Sequence, residues 1–160
     1  MITIRKINPE TDLSSILLLC KEFFTEYEAY HKEYFDIETL NDNDLSNRFI
    51  DSVNSDSGIT FVALSNDKIV GYISMDIREH PHFYKIKKVG AIWGLMVESN
   101  FRQQGVASQL MAKAKEFFKT KGIKYFTLYT AVANSGAIEF YKKNGLKPLH
   151  ISFVGEVSDG

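Results

Sequence analysis

The sequence of 160 residues predicts an α/β fold: a single domain with a mixed, mostly antiparallel central sheet, a parallel β-α-β core and helices on both faces. Some segments alternate in hydrophobicity or are continuously apolar, as strands do, whereas others repeat with the period of a helix. In the second half of the chain, segments of the two kinds follow one another in turn. No internal repeat and no Pro- or Ser-rich linker divides the chain.

Composition and charge exclude several classes of protein. Hydrophobic residues make up 44% of the chain and charged residues 24%, which excludes a disordered chain. A net charge of -1 argues against a protein that binds nucleic acid through counterion release. The single cysteine, Cys20, fits a reducing compartment. With no visible signal peptide and no apolar run of membrane-spanning length, we expect a cytoplasmic protein without a membrane partner.

The charges are distributed unevenly along the chain. Residues 1–60 contain 12 acidic and 5 basic side chains, whereas residues 61–160 contain 8 acidic and 14 basic ones. The two halves could simply form two solvated surfaces. Alternatively, the acidic half could face a cationic ligand and the basic half an anionic one.

The first 60 residues predict one strand and two helices. Residues 2–7 alternate and predict a short strand, after which Thr11 or Asp12 can cap a helix. A weaker helical pattern covers residues 42–53. The first helix is predicted by apolar residues at helical spacing, namely Leu13, Ile16, Leu17, Cys20, Phe23, Phe24 and Tyr27.

The middle of the chain predicts strands. Residues 59–64 and 69–77 flank a polar turn and therefore predict a β-hairpin. Residues 89–97 are almost entirely apolar, as expected of a strand buried on both faces at the centre of a sheet. Two glycines in that strand, including Gly94, predict a bulge or a closely approaching backbone. Trp93 is expected to belong to the core.

Four elements complete the chain. A helix is predicted over residues 106–121, a strand over 125–132, a short helix over 135–144 and a last strand over 151–157. A glycine suited to end a helix follows each of the two helices. The strands on either side of the longer helix should be parallel, because a helical crossover joins them. The last strand could pair across a homodimer.

The segment between the central strand and the longer helix is suited to bind an anion. The N-terminus of a helix carries unpaired N–H groups and a partial positive charge. Gly105 leaves room for a phosphate to approach the backbone, Ala107 keeps the next turn small, and Arg102 adds a full positive charge. The alternative is that Gly105 only eases a tight turn between strand and helix.

At this point the sequence resembles a known family. Residues 102–107, RQQGVA, lie between an apolar strand and an amphipathic helix, and resemble the acyl-CoA-binding motif of the GNAT superfamily of N-acetyltransferases. Residues 134–146, NSGAIEFYKKNGL, are similar to the second signature of that family, an asparagine followed by an aromatic pair and a glycine. The resemblance covers roughly residues 89–147.

The resemblance implies acetyl-CoA as co-substrate and no metal. The pyrophosphate of CoA would bind backbone amides of the loop, and the pantetheine arm would pair with the backbone of Leu95 and Val97. Asn134 would hydrogen-bond the same arm, although it could equally cap a helix. The implied cofactor-binding residues are Leu95, Met96, Val97, Arg102, Gln103, Gln104, Gly105, Val106, Ala107, Ser108 and Asn134.

The resemblance also implies that Tyr141 is catalytic and protonates the departing thiolate. A phenol with a reference pKa near 10 is still protonated at neutral pH. The alternative is that Phe140 and Tyr141 only pack the helix onto the sheet. The general base stays open, because residues 89–97 contain no acid. The candidates are Asp76, Glu98, Glu22, Glu26 and Glu28.

Residues 1–160 are thus expected to form one N-acetyltransferase domain, with the acceptor side mainly in 1–60 and the acyl-CoA side mainly in 89–147. Acetyl would pass from acetyl-CoA to a primary amine by direct attack, because no cysteine occupies the motif region. The acceptor is expected to be a small-molecule or peptide amine. It would be cationic if the acidic half of the chain, residues 1–60, faces it. Two alternatives are a non-catalytic acyl-CoA sensor and a protein that binds another nucleotide at the same helix terminus.

Overall fold

The computed structural model describes residues 1–37 and 42–158. No helix within these residues is long and apolar enough to cross a membrane. The elements of the described chain are β1 (Ile2–Lys6), α1 (Pro9–Glu28), α2 (Asp42–Val53), β2 (Gly58–Ser65), β3 (Lys68–Glu79), β4 (Lys88–Val97), a 3-10 turn (Ser99–Phe101), α3 (Val106–Thr120), β5 (Phe126–Thr127) and α4 (Ser135–Lys143).

The chain divides into two compact units, residues 1–129 and 130–160. The first unit contains all five strands and the helices α1, α2 and α3. The second unit contains α4, on which no residue is fully buried. That residues 1–160 form one domain stays a prediction.

The sheet of the first unit has the strand order β1-β2-β3-β4-β5. The first three pairs are antiparallel and the pair β4–β5 is parallel. A mixed, mostly antiparallel sheet with a parallel β-α-β unit is the architecture that the sequence predicts, and the prediction is confirmed. The parallel pair requires the long connection through α3, since a short turn can join only antiparallel strands.

Helices cover both faces of this sheet, as predicted. Neighbouring residues on a strand point to opposite faces. On β3, the Tyr72 hydroxyl lies 3.3 Å from the sulfur of Cys20 on α1. A Cβ placed at the preceding residue, Gly71, would lie 3.4 Å from Cδ1 of Leu110 on α3. Therefore α1 and α3 pack on opposite faces, and α2 shares the face of α1 because the Phe49 ring packs edge-on against Tyr72.

Two buried clusters stabilise these layers. Burying a large apolar side chain contributes roughly 1.5–3 kcal/mol, so each cluster is a major stabilising term. Trp93 is partly buried and packs against the first cluster, in agreement with its predicted place in the core. The first cluster consists of Ile7, Ile16, Leu19, Cys20, Phe49, Val62, Ile69, Tyr72 and Met96. The buried residues of α3 are Val106, Leu110, Met111, Ala114, Phe117 and Phe118.

The predicted turns and helix ends are also confirmed. The hairpin between β2 and β3 turns at Asn66 and Asp67, whose φ angles are +48° and +65°. Asparagine and aspartate tolerate this left-handed conformation better than most residues. Gly122 and Gly145 have φ angles of +71° and +86° just beyond α3 and α4, as expected of residues that end helices.

The predicted cap of α1 was wrong. Asn8, rather than Thr11 or Asp12, occupies the N-cap and accepts a hydrogen bond from the backbone N–H of Glu10 at 3.1 Å. The helix begins with Pro9, which suits the first helical position because its missing N–H would be unpaired there in any case. The carboxylate of Asp12 binds Arg5 and the backbone N–H of Asn8 instead.

The last two predicted strands were also wrong, the first in its extent and the second altogether. The strand expected over residues 125–132 is limited to Phe126–Thr127. Residues 151–157 form no strand and are exposed, despite their alternating sequence. A strand exists only where a neighbour completes its hydrogen bonds, so strand propensity depends strongly on context. The described residues of the second unit contain no strand that could pair with residues 151–157.

Candidate active site

The central feature of the site is a β-bulge in β4. Ser74 pairs with Gly94, and the next residue of β3, Met75, pairs with Ile92, so Trp93 is the extra residue of the bulge. This confirms the bulge that the glycines of the strand predict. A Cβ at Gly94 would lie 2.9 Å from Cε2 of Tyr72, so the glycine leaves room for the Tyr72 ring against β4.

Beyond the bulge, β4 has a free edge on the side of β5. The N–H of Glu98, just after β4, donates to the carbonyl of Val70 on β3, at 2.8 Å. Because hydrogen-bonded pairs alternate along an antiparallel ladder, Leu95 and Val97 direct their backbone groups away from β3. Within the described chain, β5 pairs with β4 at only two positions, both in the first half of β4.

The loop after β4 exposes a row of backbone amides. Gln103 and Gly105 both adopt left-handed conformations, with φ angles of +61° and +82°, and α3 begins directly afterwards. The first hydrogen bond of the helix runs from the N–H of Gln109 to the carbonyl of Gly105. In the described chain, the N–H groups of residues 103–108 therefore have no backbone acceptor. Such a row at a helix N-terminus is suited to bind a phosphate.

The charge of Arg102 is engaged by α1. Its Nη2 lies 2.8 Å from Oε1 of Glu26 and 3.9 Å from Oε1 of Glu22. Its Nε donates to the carbonyl of Val97 at 2.9 Å. The side chain thus connects the end of β4 and the start of the loop to α1, and the Glu26 carboxylate partly neutralises it.

Three further acids considered as general base, Glu98, Asp76 and Glu28, lie in different surroundings from one another. Glu98 forms an ion pair with Lys68 at 2.9 Å. Asp76 binds Nε of Arg78 at 2.7 Å, and its side chain is about one third exposed. Glu28 is the last residue of α1.

A cavity of about 340 Å³ lies on the face of the sheet covered by α2. Of the five acids considered as general base, Asp76 is the one that lines it. Sequence reasoning missed this cavity, although Arg48 and Asp51 have the spacing of neighbours on one face of the predicted second helix. The cavity is lined by Arg48, Asp51, Ser52, Ser55, Ser57, Gly58, Met75, Asp76, Ile77, Arg78 and Trp93.

The thiol of Cys20 is held in an unreactive state. Burial raises the pKa of the Cys20 thiol, and this outweighs the hydrogen bond with Tyr72 and the charge of Arg48. Burial also raises the pKa of Tyr72 well above its usual value, with Cys20 adding to the effect. Both groups are therefore uncharged near neutral pH, and Cys20 is a poor nucleophile.

In the second unit, Asn134 is the N-cap of α4. Its Oδ1 accepts a hydrogen bond from the N–H of Ala137 at 3.2 Å, which confirms the helix-cap alternative. Tyr141 is half-buried on the same helix, with its ring centroid 5.5 Å from that of Phe140. The parts of Asn134 and Tyr141 in binding and catalysis stay predictions.

Comparisons with known proteins agree with the resemblance seen in the sequence. A model of the acetyltransferase (GNAT) family matches residues 17–146. An uncharacterized N-acetyltransferase of Methanocaldococcus jannaschii is 36% identical over 87 residues, which cover 54% of this chain and 38% of that protein. An aminoalkylphosphonate N-acetyltransferase of Salmonella typhimurium is 34% identical over 93 residues, which cover 58% of this chain and 59% of that protein. The chain thus spans less than two thirds of the length of either relative.

The fold also resembles that of a solved structure. The aminoglycoside N-acetyltransferase AAC(6')-Iy, in complex with the bisubstrate analogue CoA-S-monomethyl-acetylneamine, has a TM-score of 0.76 and 21% identity. The similarity covers 99% of both chains. At this level of identity, the similarity concerns the fold.

Proposed function

Because this chain belongs to the acetyltransferase (GNAT) family, we propose that it transfers acetyl from acetyl-CoA to the primary amine of a small molecule. The observation that carries the proposal is the family match over residues 17–146, which includes the loop with six N–H groups lacking a backbone acceptor in the described chain. The names of the relatives above support an N-acetyltransferase, and the bound CoA analogue of the solved structure supports the co-substrate.

Residues 103–108 would bind the diphosphate of CoA through their backbone amides. The dipole of α3 stabilises an anion at its N-terminus by about 0.3–1 kcal/mol, before any hydrogen bond is counted. Arg102 stands at the start of this loop and would add positive charge, reduced by its ion pair with Glu26. The phosphate would be bound through backbone groups. Its binding would therefore depend on the left-handed backbone at Gln103 and Gly105 more than on any one side chain.

The pantetheine arm would continue along the free edge of β4. Arg102 occupies the carbonyl of Val97, so the arm would accept from the Val97 N–H and then pair with Leu95. This path runs from the loop toward the bulge at Trp93. The thioester carbonyl would then lie next to the cavity that Trp93 lines. An amine bound in the cavity would be close enough to attack, which supplies much of the catalytic effect of such enzymes.

The chemistry would be a direct transfer. The neutral amine attacks the thioester carbonyl and forms a C–N bond, the C–S bond breaks, and the thiolate takes up a proton. Cys20, the one cysteine of the chain, is buried with a raised pKa and is unsuited to carry an acyl group. Tyr141 would supply the proton to the thiolate. Asp76 is the favoured acceptor for the proton lost by the amine, because it lines the cavity together with Trp93.

The proposal is tested by measuring CoA release from acetyl-CoA across a library of primary amines, including aminoalkylphosphonates, amino acids, amino sugars, polyamines and peptides. We expect release that depends on both the protein and a subset of amines, with the acetylated amine identified by mass spectrometry. Binding of acetyl-CoA without turnover of any amine would support the sensor alternative instead. A thermal shift with ATP or NAD but none with acetyl-CoA would support another nucleotide as ligand.

A further inference from the structure

The cavity beside Trp93 contains charges of both signs. Asp76 and Arg78 form an ion pair with each other, at 2.7 Å and 3.4 Å, and so balance one another. Two charged side chains of α2 remain, Arg48 and Asp51. Among the described residues, no hydrogen bond or ion pair engages either of them. The cavity thus offers one cation and one carboxylate to a ligand.

Arg48 is held at the end of the cavity nearest the bulge. Its guanidinium carbon lies 4.4 Å from the centroid of the Trp93 ring. A guanidinium stacked on an aromatic face keeps its N–H groups available at its edge, in a fork that matches a carboxylate or phosphonate. An anionic group bound there would therefore lie close to the extra residue of the bulge, where the thioester is proposed to end.

Buried hydroxyl groups fix the helix that carries these charges. Ser52 Oγ donates to the carbonyl of Phe49 at 2.6 Å and lies 2.9 Å from Thr60 Oγ1, which in turn lies 2.8 Å from Ser74 Oγ. Because Ser52 uses its proton for the carbonyl, Thr60 donates to Ser52 and Ser74 donates to Thr60. The row joins α2 to β2 and β3, so it fixes the part of the helix from which Arg48 and Asp51 project.

From this arrangement we infer that the acceptor is a small zwitterionic amine, one whose carboxylate or phosphonate binds Arg48 and lies within a few bonds of the amine. The inference rests on the proposed function. A volume of about 340 Å³ suits a small molecule. The balanced charges favour a ligand that brings both signs, with its ammonium group attracted by Asp51. A polyamine would bring a further positive charge against Arg48.

The inference is tested with matched amines and CoA release as the readout. The pairs are β-alanine with β-alaninamide, and 2-aminoethylphosphonate with its diethyl ester. We expect the anionic member of at least one pair to have a kcat/KM roughly tenfold higher or more, since an arginine bound to an oxyanion contributes a charge-assisted hydrogen bond. The inference would be overturned if kcat/KM were equal within both pairs or higher for the neutral members.

The second arm uses variants of Arg48. R48Q should lower kcat/KM roughly tenfold or more for the anionic amine, mainly through KM, and lower it much less for the neutral amine. Thermal unfolding shows separately that the variant is folded. R48K should restore part of the loss. K113Q is the matched control, because it removes one positive charge from α3 on the opposite face of the sheet. Equal losses for both amines in R48Q would overturn the inference.

The same assay separates this inference from the proposed function. Turnover of neutral amines without preference for anionic ones overturns the zwitterionic acceptor alone and leaves the acetyltransferase in place. Acetyl-CoA binding without turnover of any amine overturns both, because the inference rests on the proposed function.

Discussion

The guanidinium of Arg102 lies 2.8 Å from the carboxylate of Glu26, and its Nε donates to the carbonyl of Val97. The ion pair joins the loop after β4 to α1, across 76 positions of sequence. If the loop binds CoA as proposed, Arg102 would have two separable effects on the bound anion. It contributes positive charge, which Glu26 reduces, and it holds the loop against the end of β4.

Variants of Arg102 and Glu26 should change acetyl-CoA affinity in opposite directions. R102Q should weaken binding about tenfold, because it removes both the charge and the contact to β4. E26Q should strengthen binding by up to about fivefold, since an exposed pair of this kind is worth about 0.2–1 kcal/mol. Calorimetric titration at low and at physiological salt measures both changes. Weaker binding in both variants would mean that loop position, rather than charge, decides affinity.

Gly105 should be required for coenzyme binding, whereas Gly122 should not. G105V and G122V each place a branched side chain on left-handed backbone, at φ angles of +82° and +71°, at opposite ends of α3. The expected loss of stability is therefore similar, on the order of 1–2 kcal/mol. Acetyl-CoA at 100 times its Kd stabilises a binding protein by about 2.7 kcal/mol. Thermal unfolding should show this stabilisation in G122V and lose it in G105V. Equal stabilisation in both would exclude the loop as the binding site.

Tyr141→Phe should lower kcat roughly 10–1,000-fold and leave acetyl-CoA affinity nearly unchanged, because the variant lacks only the hydroxyl that would protonate the thiolate. Tyr125→Phe, which removes a hydroxyl from a half-exposed tyrosine before β5, provides the control. Steady-state kinetics with the best amine measures the effect. Turnover equal to that of the control would limit Tyr141 to packing beside Phe140.

Asp12 should make stability depend on pH. Its carboxylate accepts hydrogen bonds from Arg5 at 2.6 Å and 3.0 Å and from the N–H of Asn8 at 2.7 Å. Burial by itself raises the pKa of Asp12, but these partners outweigh it and hold the pKa below the usual value. The ionised form is therefore favoured in the folded state. The stability that the ionised Asp12 gives the folded protein is fully present above its pKa in the unfolded chain, about 3.9. This stability is lost as the pH falls through the lower pKa that Asp12 has in the folded protein.

D12N should accordingly destabilise the protein by about 1–3 kcal/mol at pH 7, since it removes a carboxylate that is 4% exposed from its partners. Urea unfolding measured from pH 7 downward should show the two proteins converging below about pH 4. D36N, which changes an acid in the segment after α1, serves as the control. If the difference in unfolding free energy between D12N and the unmodified protein stayed constant with pH, ionised Asp12 would not be the source of the stability.

The local features of the fold were predictable because short-range interactions decide them. The helical stripes of α1 and α3 follow from the 3.6-residue period, and the hairpin at Asn66 and Asp67 follows from the tolerance of these residues for positive φ. The amides of the loop before α3 were predictable for the same reason, since every helix leaves its first N–H groups without a partner inside the helix. A motif of six residues was therefore enough to locate them.

Other features depend on contacts between distant parts of the chain. The alternating residues 151–157 form no strand, since a ladder needs a neighbour as well as propensity. No short-range sequence pattern predicts the ion pair of Arg102 with Glu26, because the two residues are 76 positions apart.

The sequence by itself therefore determined the helices, the hairpin and the row of amides before α3, because each is governed by hydrogen bonds and dihedral preferences within a few residues. Only the tertiary structure decided which charges face one another. Packing of α2 on the sheet brings Arg48 and Asp51 to one cavity with Trp93 and Asp76. Electrostatic and van der Waals forces act through space, so the chemistry of that cavity is determined by the packing rather than by sequence spacing.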